Sequence, residues 1–238
     1  MAKTPLQIGA LRFPTRKAAA EHFRKILYGY PLYERIPEPD ATHLHWLLER
    51  HHEFAQKAGA GIDHFTVVNT IYSALGFNII RVDGSTADFS YITALDGKMP
   101  SARREMLASL RWEVESDILR AKGDYFRQHA DGDGTVACAI TGRRVTYKQS
   151  HADHAPPYYF GTLADLILAA RAIEPTYDLL EPSADHQITR LLADRKLAED
   201  WRAYHHKLAV IRVVEAYKNV ENASNAKVRA KDRQLQFL

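Results

Sequence analysis

Apolar positions along the chain recur with two different spacings, and the changes from one to the other mark out its elements. From Thr15 to Tyr28, Ala19, Phe23, Ile26 and Leu27 fall on one side of a helix. From Asp40 to Lys57, Leu44, Leu47, Leu48 and Phe54 repeat at helical spacing and predict a second amphipathic helix. Past Gly59-Ala60-Gly61 the texture turns to short β-rich runs, His64 to Asn69, Phe77 to Val82 and Ala87 to Ile92. Asp83-Gly84-Ser85, between the last two, is a hairpin signal. Asp96-Gly97-Lys98-Met99-Pro100 then punctuates the chain as a linker. Beyond it a long helix is predicted from Ser101 to Gln128, with Met106, Leu110, Val114, Ile118 and Tyr125 on its apolar stripe. Asp131-Gly132-Asp133-Gly134 ends it. Two short strands follow, Thr135 to Ile140 and Arg143 to Lys148, turning at Thr141-Gly142. After His151 to Pro157 the spacing predicts helices from Phe160 to Ala172 and from Leu197 to Tyr217, with a loop marked by Pro175 and Pro182 between them.

These elements define an α+β chain of two modules. Residues 1–98 form a small helix-plus-antiparallel-sheet domain, and residues 99–238 a mostly helical one with a short β element. A chain of 238 residues, 46% hydrophobic and 26% charged, is long enough to bury a real core. No apolar run approaches the roughly 20 residues of a membrane helix, and the N-terminus lacks a long apolar core, so a cytoplasmic protein with no membrane partner is expected. The single cysteine, Cys138, excludes an internal disulfide and any cysteine-rich zinc site, so a bound metal must use oxygen and imidazole ligands. Cys138 itself reads as a small core residue. A net charge of +3 permits a polyanionic partner without demanding one. The charge is concentrated near the C-terminus, where Lys227, Arg229, Lys231 and Arg233 face the single acid Asp232. That segment reads either as a nucleic-acid contact or as a solvated tail.

Candidate chemistry lies in the second module. Ser150-His151-Ala152-Asp153-His154-Ala155-Pro156-Pro157 follows a hairpin and precedes helices carrying Trp201, Tyr204-His205-His206 and, further on, Asn219. Neighbouring residues of an extended segment project to opposite faces, so a metal ligand and a general base can sit side by side. The ordered set resembles the HNH, or ββα-metal, endonuclease superfamily. The resemblance implies that Asp153 and Asn219 bind a divalent ion, most simply Mg²⁺ with Mn²⁺ as an alternative, and that His154 deprotonates the attacking water. Asn222 and Asn225 are rival ligands. His151 has the His-x-Asp-His spacing of phage junction-resolving members and reads equally well as solvent-facing. The central asparagine of the motif has no counterpart, Ala209 or Val210 standing near its place, and His205 is the substitute considered for that role. The stretch from Pro157 to Leu197 is an insertion relative to a minimal motif.

In the first module "AAAEHFRKILY", "LLERHHEFAQKAGAGIDHFTV" and "RVDGSTADFSYITAL" resemble the DCL domain, named after a plant plastid protein required for ribosomal RNA maturation; the resemblance spans Phe13 to Ile92. It implies association with nucleic-acid processing rather than a reaction. His51, His52, Lys57, His64 and Arg81 are its candidate contacts, with ordinary surface roles or an Arg81 ion pair to Asp83 or Asp88 as the duller reading. Together the two resemblances imply a DNA endonuclease of restriction, homing or phage type, acting on double-stranded DNA, as a homodimer if both strands are cut. The alternative is a non-catalytic nucleic-acid-binding protein of RNA processing whose HNH-like half is a degenerate scaffold.

Overall fold

The structure is a computed structural model, and it describes residues 5–70, 74–187 and 189–217. The fold is α+β and consists of two compact units, one formed by the chain up to Ser101 with Ser183–Ile188, the other by Ala102–Pro182 and the chain from Thr189 onward. No helix among the described residues is long and apolar enough to cross a membrane.

The first unit begins with a hairpin of β1 (Leu6–Ile8) and β2 (Leu11–Phe13) that periodicity did not predict. Thr15 caps α1 (Arg16–Gly29), its hydroxyl accepting the Ala18 N–H at 3.0 Å, and Ala19, Phe23, Ile26 and Leu27 are buried as their spacing requires. The expected helix from Asp40 to Lys57 is two helices, α2 (Asp40–Leu48) and α3 (Phe54–Ala58). The polar run Glu49-Arg50-His51-His52 has no apolar residue to bury, and the backbone tightens there, His51 N–H donating to Leu48 O at 2.8 Å. A three-stranded antiparallel sheet follows in the order β3 (Ile62–Asn69), β4 (Leu75–Arg81), β5 (Thr86–Phe89). The last strand stops at Phe89 because Ser90 caps α4 (Tyr91–Asp96), accepting the Thr93 N–H. Phe65, Val67, Phe77, Ile79 and Phe89 bury one face of the sheet with Phe23 and Leu44 from the helices.

Arg81, read above as a nucleic-acid contact, is only 6% exposed. Its guanidinium donates to Lys57 O and Gln56 O, both at 3.0 Å, and to Ser85 Oγ at 3.2 Å, and pairs with Asp185 at 2.9 Å. Its ionic partner is thus neither Asp83 nor Asp88. Gly59 makes the clamp possible: its φ is +50°, and a Cβ there would lie 2.6 Å from Arg81 Nε.

The second unit is built on α5 (Ala102–His129), whose buried Met106, Leu110, Val114 and Ile118 form the predicted stripe. Two short ladders come next: β6 (Val136–Ala137) pairs with β7 (Arg144–Val145), while β8 (Ser150–His154) pairs with a strand far along the chain. After α6 (Phe160–Ala170), α7 (Arg195–Leu208) starts at Asp194, whose carboxylate accepts the Lys196 and Leu197 N–H groups. The helix expected to reach Tyr217 stops at Leu208. Ile211–Glu215 is instead β9, antiparallel to β8, and Ala216 and Tyr217 are helical after it. The β-branched run Ile211-Arg-Val213-Val214 favours the strand once β8 offers a ladder. Phe160, Leu163, Ile167 and Trp201 pack on α5, with Trp201 Nε1 donating to Leu110 O at 2.7 Å, and a smaller cluster gathers Phe126, Val136, Cys138, Val145, Val213 and Val214. Cys138 is the buried core residue expected of it, its Sγ accepting the Glu215 N–H at 3.3 Å.

Candidate functional site on the β8 and β9 pair

The register of the two strands places Asp153 opposite Arg212 and His154 opposite Ile211. Ala155 N–H donates to Val210 O at 2.8 Å and extends the pairing past the strand end. The start of β8 is pinned to α5 by Lys122, 7% exposed, whose ammonium donates to Tyr147 O at 2.8 Å and Ser150 O at 2.7 Å. Alternation then turns Ser150, Ala152 and His154 toward the interior and His151 and Asp153 the other way. One ligand candidate and one base candidate on neighbouring residues therefore do occupy opposite faces.

His154 is 4% exposed, and its Nε2 lies 2.8 Å from Nε2 of His205, itself 3% exposed. Phe160 stands edge-on to the His154 ring, with 5.6 Å between centroids, and Trp201 packs on His205. Burial first, then the neighbouring His205 and Arg111, lowers the His154 pKa to about 3, and burial likewise lowers that of His205. Both rings are neutral at ordinary pH, and one facing nitrogen must donate while the other accepts. If His154 donates its Nε2–H, its Nδ1 keeps a lone pair, and Nδ1 makes no hydrogen bond among the described residues. His205 can thus orient a base at His154 Nδ1, the role considered for it in place of the missing asparagine.

On the outward face, Asp153 Oδ2 accepts both Arg212 Nε at 2.9 Å and Arg212 Nη2 at 2.7 Å. Its Oδ1 accepts no hydrogen bond among the described residues, so one hard oxygen remains for a divalent ion. His151, exposed, shares that face. A single carboxylate oxygen suits a weakly held, largely hydrated ion. Asn219, Asn222 and Asn225, together with Lys227, Arg229, Lys231 and Arg233, lie outside the described residues. β8 and β9, rather than the hairpin at Cys138, are the strands that carry Asp153 and His154 and their cross-strand partners.

A second group of ligating side chains, His51, His52 and Glu53, lies in the first unit with its donor atoms within 4.8 Å of one another. The two rings are stacked at 4.6 Å and 18°, and His51 Nδ1 already accepts the Glu53 N–H at 3.1 Å. One of the two His51 nitrogens is therefore already engaged. Sequence reasoning missed Lys122, Arg111 and Arg212, because a lone cation on a helix or strand carries no motif.

Residues 24–95, inside the first unit, match the family described as protein of unknown function (DUF3223). A solution NMR structure of an uncharacterized protein from Rhodospirillum rubrum is similar to this chain at 30% identity, with a TM-score of 0.37, covering 40% of this chain and 91% of that one. No curated protein matches the chain.

Proposed function

We propose that this protein is a divalent-metal-dependent DNA endonuclease in which Asp153 is a metal ligand and His154 the general base. The observation that carries the reading is the antiparallel pairing of β8 with β9, which sets Asp153 against Arg212 and puts Asp153 and His154 on opposite faces of β8. His205 holds the His154 ring through Nε2 and leaves Nδ1 to take a proton from the attacking water. Asp153 Oδ1 would hold the divalent ion, with Asn219 and His151 as the further candidate ligands. The ion, when bound, offsets charge on the phosphate and on the departing 3′ oxygen. The first unit serves as the specificity module on double-stranded DNA, and a homodimer accounts for a double-strand cut by one site per chain. Restriction, homing and phage roles all fit, in a cytoplasmic setting. With Mg²⁺ or Mn²⁺ the purified protein should cut plasmid DNA, and His154→Ala and Asp153→Asn should abolish cutting while DNA binding survives.

A second reading has its own observations. The Arg212 fork on Asp153 and the burial of His154 are what a degenerate scaffold retains, and they favour a non-catalytic nucleic-acid-binding protein of RNA processing. A wild type that binds nucleic acid but cuts neither DNA nor RNA with any divalent ion decides for it.

A further inference from the structure

We propose that Arg111 is a phosphate-binding residue of this site and that its ligand is a non-bridging oxygen of a nucleic-acid phosphodiester. The proposal rests on reading β8 and β9 as a nucleic-acid site, but not on that site cutting its substrate. Arg111 projects from α5, and its Cζ lies 3.9 Å from the centroid of the Phe160 ring. Phe160 is the same ring that stands against His154. Arg111 and His154 thus share the Phe160 ring as a common neighbour. The Glu115 and Asp153 carboxylates act on the guanidinium through their charge.

Its bonding is what sets it apart. Arg171, Arg195, Arg202 and Arg212 of the same unit each pair with a carboxylate. Arg111, among the described residues, makes no hydrogen bond and no ion pair, and its guanidinium lies over the face of an aromatic ring. Stacking fixes the plane of a guanidinium while leaving its in-plane N–H donors unused. A planar fork with unused donors, exposed and held next to a base candidate, is complementary to two oxygens of a phosphate.

The test is binding of a fluorescently labelled DNA duplex by the full chain without divalent ion, read by anisotropy across a salt series. Arg111→Gln should weaken binding by about ten- to a hundredfold and lower the slope of log affinity against log salt by about 0.9, the release expected from one phosphate contact. Arg111→Lys should keep the slope, since it keeps the charge. Arg111→Met, which retains the apolar contact with Phe160, repeats the test should the glutamine variant fail to fold. In the wild type, the Arg111 Nε–H resonance should shift when the duplex is added. Unchanged affinity and slope in the neutral variants, a silent resonance, or a wild type that binds no duplex overturns the proposal. Failure of the nuclease reading is separate: it is a wild type that binds duplex, with Arg111 contributing, and cuts nothing when Mg²⁺ or Mn²⁺ is supplied.

Discussion

His154 illustrates how far a single residue can be read from its neighbours in sequence. Its place after Asp153 marks it as a base candidate, but nothing local says that it will be buried against His205, fifty-one residues away. That burial has a thermodynamic signature. With a folded pKa of about 3 against an ordinary 6.5, the unfolded chain binds more protons between those values, so stability is full above about pH 6.5 and is lost as pH falls through the window. His51, lowered to about 4 chiefly by burial, adds to the same slope. Replacing His154 with Gln should flatten the fall in melting temperature between about pH 4 and about pH 7 without removing it, as measured by circular dichroism. The Arg212 fork on Asp153 is the companion case. Arg212→Met should cost about 1 to 2 kcal/mol in urea denaturation, less than a fully buried pair because both side chains keep some access to water. A cost near zero would mean that solvent already screens the pair.

At the scale of elements, the helix prediction failed where two spacings compete. Val210, Val213, Val214 and Tyr217 lie at helical intervals, while Ile211 and Val213 also alternate, and the sequence alone could not choose. The choice fell to β8, which supplies a ladder for Ile211–Glu215 that no local interaction could announce. The same dependence on distant partners holds for Lys122. Removing its ammonium in Lys122→Met takes a buried donor from the Ser150 carbonyl and leaves Tyr147 O to the Ser150 hydroxyl, at a cost of about 1 to 3 kcal/mol. Amide exchange in β8 should quicken in that variant, and unchanged exchange would show that the strand is held by β9 alone. In the first unit, Gly59→Ala meets both a left-handed backbone and the Arg81 guanidinium, and should destabilise by more than about 1 kcal/mol, read as a lowered urea midpoint. By contrast α1 was legible to its cap, because Thr15 and the Ala19, Phe23, Ile26, Leu27 stripe are local signals that packing only confirmed.

At the scale of the whole molecule, an ion bound as proposed through one carboxylate oxygen would be held too weakly to carry a fold whose two units have hydrophobic cores of their own. Chelation by EDTA should therefore stop plasmid cleavage and leave the melting temperature unchanged; a large drop on chelation would assign the metal a structural role instead. The sequence by itself determined the α+β class, the amphipathic helices, the hairpin turn at Asp83-Gly84-Ser85 and the Asp153-His154 pair, since each is written in spacing or turn chemistry over a few residues. Tertiary structure alone decided that β8 takes β9 as partner, that Arg212 closes on Asp153, that His205 meets His154, and that Arg81 is clamped around Gly59 and paired with Asp185. Each of those depends on groups brought together from far along the chain, where the cost of burying a charge or a ring nitrogen is met only by a partner that the local sequence does not contain.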